Sequence, residues 1–338
     1  MKNVLYIGNN LISKTSNLSG IQILGPLLEA EGVDVYYASS ISNKILRLLD
    51  MVWSCLKLSN KIDVVLIDTY STQNFYFALV ISQICRFLNL KYIPILHGGD
   101  LPSRLKNNPG LSGLIFNNAK CNVSPSMYLK TAFESVGITN VIHIPNTIKI
   151  DDYKFETRAY KEPKLLWVRS FSEIYNPELA IDVYNILKKS YPEASLTMVG
   201  PDADGSQIKV ESLARNLNLK VNFTGKLEKK KWLELSKVCN VFINTTNFDN
   251  TPLSVIEAMA LGLPVVSTNV GGMPYLIDHD VDGKLVHPNQ PQSMSSAVIS
   301  IINDFEQRQG LIENARSKVE KFDWSQVKLL WFKALDLN

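Results

Sequence analysis

Two carboxylates eight positions apart, Asp249 and Glu257, bracket the segment Asn250-Thr251-Pro252-Leu253-Ser254-Val255-Ile256, and Ala258-Met259-Ala260-Leu261-Gly262-Leu263-Pro264-Val265-Val266 follows. The order reads as a polar loop, a proline at a helix start, a helix, a glycine stop and a strand. Asp249 therefore precedes the helix, and Glu257 lies about two turns inside it. Such a pair can grip two hydroxyl-rich parts of one ligand while the free N–H groups at the helix start meet its phosphates.

A second candidate is His97, in Ile95-Leu96-His97-Gly98-Gly99-Asp100 at the end of an apolar run. A histidine at a strand exit can hydrogen-bond a sugar hydroxyl, or it can satisfy its own loop. Gly8 closes the first apolar run, and Gly20 opens a helical stretch over 21–31. Glycines there admit a substrate to a helix N-terminus that favours an anion; a tight turn accounts for Gly8 equally well. The G-x-G-x-x-G spacing is absent, and no acidic residue is placed to hold a ribose at the second strand, which speaks against a nicotinamide or flavin site. His143, His279 and His287 fall in a strand-like run and in polar turns. Cys55, Cys85, Cys121 and Cys239 form no C-x-x-C pair, so they read as small core residues in a reducing compartment. With no His or Cys cluster, no metal is expected.

These residues need strands to end beside them. Apolar runs at 4–7, 33–37, 64–67, 92–96, 121–123 and 141–144 alternate with helical patterns, and the rhythm restarts at 165–168, 196–199, 221–223, 241–243, 265–266 and 285–286. Continuous apolar strands alternating with helices imply a parallel sheet covered on both faces. The chain reads as α/β, with two Rossmann-like doubly wound domains: 1–156 on the acceptor side and 163–321 on the donor side. A terminal helix over 322–338, capped by Asp323, packs back on the first domain. Charged 149–163 reads as the interdomain linker. Open parallel sheets bind ligands at the carboxyl ends of their strands, so two facing domains would frame an interdomain cleft.

The 338 residues, 46% hydrophobic and 20% charged, suffice for two cores, and 35 Lys and Arg against 32 Asp and Glu leave only +3. That balance points away from nucleic acid unless the charges cluster. The first residues lead straight into the run at 4–7 and read as a strand, not a signal peptide. No run is long enough to span a bilayer. The apolar segment 45–58, with Lys44, Arg47, Lys57 and Lys61 around it, either lies on an anionic membrane surface or packs as a helix against the sheet or over an acceptor groove.

The stretch from Asn244 to Val266 resembles the nucleotide-sugar site of family-4 retaining glycosyltransferases, whose signature is E-x7-E followed by A-M-A-x-G-x-P-V-V. The likeness continues through Thr268-Asn269-Val270-Gly271-Gly272-Met273-Pro274 and Asp282-Gly283-Lys284-Leu285-Val286. It extends back to Val123-Ser124, Ile144-Pro145-Asn146-Thr147, Val199-Gly200-Pro201 and Phe223-Thr224-Gly225-Lys226. The resemblance implies the GT-B fold. It makes Glu257 the ribose-binding carboxylate, Asp249 the group near the donor sugar, Arg169 the counter-charge of the diphosphate, and His97 the residue that orients the transferred sugar. Asn250, Thr251, Leu253, Gly200, Lys226 and Gly8 would complete the donor site, and Gly20 and Gly98 would lie on the acceptor side, where Gly8 also flanks.

The same resemblance implies front-side displacement with retention, without metal or cofactor, from a nucleotide diphosphate sugar to a glycan or lipid-linked acceptor. The setting would be surface polysaccharide or glycoconjugate synthesis, in the cytoplasm or at the inner face of the cell membrane. Two departures stand out: Asp249 replaces the family's first glutamate, and Arg169 is followed by Ser170-Phe171 where the family carries lysine and glycine. Lys226 is a candidate replacement for that lysine, while Lys229 to Lys231 read as a solvated face. A nucleotide-sugar epimerase of the same fold and a non-catalytic GT-B partner subunit are the competing readings.

Overall fold

A computed structural model describes residues 2–11, 19–156 and 158–337 of the chain. It divides into two compact units, Met1–Pro145 with Lys328–Asn338, and Asn146–Val327.

The first unit runs β1 (Asn3–Ile7), α1 (Gly20–Ala30), β2 (Asp34–Ala38), α2 (Lys44–Leu58), β3 (Val64–Thr69), α3 (Asn74–Phe87), β4 (Lys91–Leu96), α4 (Leu101–Asn107), α5 (Pro109–Phe116), β5 (Asn122–Ser124), α6 (Met127–Glu134) and β6 (Val141–His143). Its strands form one parallel sheet in the order β2-β1-β3-β4-β5-β6. All six residues of β3 are buried, because helices cover both faces of this central strand. Leu5, Ile7, Val65, Ile67 and Leu96 pack with Phe75, Ala78 and Ile81 of α3. The strand order reverses between β1 and β3, which makes their carboxyl ends the expected place for a ligand crevice.

Helix α2 starts at Asn43, whose side chain accepts from the N–H groups of Ile45 and Leu46. It buries Arg47, Met51 and Cys55 and turns Ile45, Leu46, Leu49, Trp53 and Leu56 outward, with Trp53 62% exposed. The expected cation at Arg47 is therefore corrected. Its guanidinium is spent inside the unit, donating to the Ile41 carbonyl at 2.7 Å, the Ser42 carbonyl at 3.0 Å and Asn9 Oδ1 at 2.8 Å. No helix among the described residues is long and apolar enough to cross a membrane.

The second unit runs β7 (Lys164–Val168), α7 (Pro177–Ser190), β8 (Ser195–Val199), α8 (Ser206–Asn216), β9 (Val221–Gly225), α9 (Lys229–Ser236), β10 (Val241–Asn244), α10 (Leu253–Ala260), β11 (Val265–Thr268), α11 (Met273–Leu276), β12 (Lys284–Val286), α12 (Pro291–Asn303) and α13 (Phe305–Glu320). The parallel sheet order is β12-β11-β10-β7-β8-β9, reversing between β7 and β10. Leu165, Trp167, Leu196, Met198, Val241, Ile243 and Val266 enter one core, and Leu166, Val199, Phe242 and Val265 enter the other. Alternate side chains thus feed two cores, which is why these strands read as unbroken apolar runs.

The segment expected as a linker belongs to this second unit, which begins at Asn146. Tyr153 is a core residue, and the start of the segment is tied down: Ile150 N–H donates to Asp323 Oδ2 at 2.9 Å, and just ahead of the segment Ile148 N–H donates to the Phe322 carbonyl at 3.0 Å. A few large side chains among many charges outweigh the polar composition once they find a core. The closing helix α14 (Trp324–Leu335) belongs to the first unit from Lys328 onward, where Lys328 pairs with Glu31 at 3.0 Å and Lys120 Nζ donates to the Ala334 carbonyl at 2.7 Å. Cys55, Cys85 and Cys239 are buried thiols; Cys121, expected in the core, is half-buried.

Candidate functional site

In the second unit the loops leaving β7 and β10 hold the candidate groups. Arg169 follows β7, its N–H donating to the Val199 carbonyl at 3.0 Å. A Cβ on Gly200 would stand 1.7 Å from the Arg169 carbonyl oxygen, so Gly200 lets the two strand exits touch backbone to backbone. The Arg169 guanidinium lies 4.3 Å over the Tyr175 ring and pairs with Asp249. Tyr175 is held in turn: Thr245 Oγ1 donates to its carbonyl at 2.8 Å and accepts from Trp167 Nε1 at 2.9 Å. Burial lowers the pKa of Arg169 from its ordinary value, yet a guanidinium stays charged in proteins.

Asp249 is shaped from behind by the two glycines that extend the sequence match. A Cβ on Gly271 would lie 2.2 Å from the Asp249 carbonyl oxygen, and one on Gly272 1.8 Å from that of Asn250. Gly272 N–H donates to the Asp249 carbonyl at 2.9 Å, and Asn250 N–H to the Asp249 carboxylate at 2.9 Å. Asn146 holds the next residue, its side-chain amide donating to the Thr251 carbonyl at 3.2 Å. Thr251 and Leu253 are half-buried and Asn250 is buried, leading into α10.

Seven consecutive residues of α10, Ser254 to Ala260, are buried, Glu257 among them. Glu257 Oε1 accepts from Tyr153 Oη–H at 2.6 Å and from Lys229 Nζ at 2.5 Å, and the Lys229 ammonium stands 4.4 Å over the Tyr153 ring. Lys229 stays on the solvated face expected of it, with 47% of its side chain exposed, yet from the first turn of α9 its ammonium reaches the buried carboxylate. Burial and the Glu257 charge push the Tyr153 hydroxyl well above the usual phenol range, so it remains a donor. Lys226 lies exposed just after β9.

In the first unit the exits of β1, β3 and β4 converge on a residue that sequence reasoning missed, Asp68. His97 Nε2 lies 2.7 Å from Asp68 Oδ1, which also accepts from Tyr6 Oη–H at 3.0 Å, and the Tyr70 ring stacks on His97 at 4.9 Å. Burial, with the Asp68 charge next, raises the Tyr6 pKa and keeps its hydroxyl protonated. Asp68 Oδ2 is buried with no hydrogen-bond partner among the described residues.

Here the expectation that Gly8 and Gly20 make room for a ligand is corrected. A Cβ on Gly8 would meet Asp68 Oδ2 at 2.5 Å, and one on Gly20 the His97 ring at 2.8 Å, so both make room for the dyad itself. Gly98 takes a left-handed φ of +76°, and a Cβ there would touch the Tyr70 ring at 4.0 Å. The only sign of Asp68 in the sequence is an acidic residue ending an apolar run; strand order alone reveals that the run ends at a switch point.

The second unit thus gathers Arg169, Gly200, Asp249, Asn250 and Thr251 at one strand-exit cluster and carries Glu257 on the helix that follows. The first unit gathers Gly8, Gly20 and His97 around Asp68. Among the described residues no group of three His, Cys, Asp or Glu side chains is placed to hold a metal.

A family model described as glycosyl transferases group 1 matches residues 149–318, half of the 338-residue chain. An uncharacterised glycosyltransferase of Methanocaldococcus jannaschii is 32% identical over 109 residues, 32% of this chain and 28% of that protein. The sulfoquinovosyl transferase SQD2 of Arabidopsis thaliana is 28% identical over 150 residues, 44% of this chain and 29% of that protein. The matches thus span under a third of either relative's own length. Among solved structures, the Anabaena protein HepE in complex with UDP-glucose superposes with a TM-score of 0.79 at 17% identity, over 99% of this chain and all of that one. The fold is accordingly that of the GT-B glycosyltransferases.

Proposed function

The chain belongs to the glycosyl transferases group 1 family, and from that premise we propose that it is a metal-independent, retaining glycosyltransferase using a nucleoside diphosphate sugar. The observation that carries this reading is the half-buried Arg169–Asp249 pair at the β7/β10 switch point, two turns of helix ahead of the buried Glu257. Arg169 faces the diphosphate, Glu257 the ribose hydroxyls and Asp249 the transferred sugar. In the first unit His97, held by Asp68, is the candidate to hydrogen-bond a sugar hydroxyl.

In the reaction the bond between the anomeric carbon and the diphosphate oxygen breaks, and the acceptor hydroxyl bonds to the same face of that carbon. The acceptor proton passes to the departing phosphate. Charge developing on the diphosphate is the main thing to stabilise, and a guanidinium already held in place does so without reorganising. Lys226, flanking the same unit's strand exits, is the candidate second cation.

The acceptor we infer is a glycan or a lipid-linked glycan, in surface polysaccharide or glycoconjugate synthesis at the inner face of the cell membrane. Supporting this is the outward face of α2, with Ile45, Leu46, Leu49, Trp53 and Leu56 exposed between the exposed Lys44 and Lys57. HepE's complex with UDP-glucose makes UDP-glucose the first donor to test.

The test is NMR of the full chain incubated with UDP-glucose, UDP-galactose, GDP-mannose and their relatives, with no acceptor added. Transferases leak sugar to water, so slow release of free sugar that first appears in the donor's anomeric configuration is expected. Conversion to an epimeric nucleotide sugar without release would establish the epimerase instead. Binding of nucleotide without any turnover, acceptors included, would establish the non-catalytic subunit.

A further inference from the structure

The buried carboxylate of Glu257 is held on one side only. Tyr153 and Lys229 both donate to Oε1, and among the described residues no hydrogen bond falls on Oε2. The two donors come from 104 and 28 residues away, one from the segment ahead of β7 and one from the first turn of α9. Neither belongs to the stretch that carries the signature. Only 9% of the Glu257 side chain is exposed. An ammonium and a hydroxyl on the same oxygen fix its torsion.

We propose that Tyr153 and Lys229 are positioning residues that grip Glu257 by Oε1 and present Oε2 to the ribose hydroxyls of the nucleotide donor. The inference rests on the reading of Glu257 as the ribose-facing carboxylate. The cluster divides the work of one side chain between its two oxygens. A latch, in which Lys229 competes with the ribose for Glu257, would have the opposite sign: its removal would tighten binding.

The experiment is calorimetric titration of the full chain with UDP and with 2′,3′-dideoxyuridine diphosphate, repeated with the adenine and guanine pairs. Wild type is compared with Tyr153→Phe, Lys229→Met and Lys229→Arg. The wild type is expected to prefer the ribonucleotide by about tenfold, the size of one charge-assisted contact. In Tyr153→Phe and Lys229→Met that preference should shrink to about threefold or less while affinity for the dideoxy compound stays put, and Lys229→Arg should restore it.

A full preference in both variants, or tighter UDP binding by Lys229→Met, overturns the inference alone. Equal loss of both ligands marks a merely structural role and overturns it too. A wild type that binds both compounds equally removes the ribose reading of Glu257, and this inference with it.

Discussion

Asp249 and Glu257 are both nearly buried carboxylates beside a cation, yet they are built for different tasks. Asp249 sits on a loop whose backbone is clamped by Gly271 and Gly272, and its charge is shared with Arg169. Its partner is thus the group proposed to face the diphosphate. Replacing Asp249 by Asn keeps the shape and the backbone contacts but frees the guanidinium, so UDP affinity should hold within a few-fold or rise. Turnover should fall by about a hundredfold if the carboxylate acts on the sugar only as the bond breaks, near 3 kcal/mol of differential stabilisation. Steady-state kinetics beside UDP titration checks this, with melting curves to show that the variant is folded. Full turnover in Asp249→Asn would sink the assignment.

At the scale of elements, helix α2 presents the sharpest contrast between what is buried and what is displayed. Its inward stripe of Arg47, Met51 and Cys55 belongs to the first unit's interior, and the outward residues contribute nothing to that packing. Replacing Leu49 and Trp53 together by Ala should therefore leave the melting temperature within a few degrees, while removing apolar area worth about 25 cal/mol per Å² to any surface that covers it. Co-sedimentation with vesicles containing phosphatidylglycerol should drop at least tenfold, with UDP affinity unaltered. A large loss of stability would instead show that the helix face packs against protein. The loops around the second unit's site obey a simpler rule: Gly200, Gly271 and Gly272 stand where a methyl group would collide with a backbone oxygen, so each ought to resist even Ala.

At the scale of the molecule, each unit has its own sheet and core, and every group proposed to meet the nucleotide itself lies in Asn146–Val327. UDP at a hundred times its dissociation constant should stabilise the folded state by about 2.7 kcal/mol. Scanning calorimetry should show the shift, and it should persist in chelator if, as proposed, Arg169 supplies the positive charge in place of a divalent cation. A shift that needs manganese or magnesium would overturn metal independence.

What the amino-acid sequence determined by itself is the part that depends on local order. Apolar runs that alternate with helices specify two doubly wound sheets, and the spacing of Asp249, Pro252, Glu257 and Gly262 specifies a loop, a helix and its stop, since both follow from periodicity and turn chemistry within a few residues. Strand order is a different kind of fact. That β1 neighbours β3, or that β7 neighbours β10, is settled by which surfaces bury each other across long separations, and it is this order that brings Asp68 under His97 and Arg169 beside Asp249.

The same holds for charge. Composition counts Arg47 as a solvated cation and 149–163 as a polar tether, whereas tertiary contacts assign Arg47 to three acceptors and Tyr153 to a core. A charged side chain reads as exposed until a partner far along the chain can offset its desolvation, and only the folded structure supplies that partner.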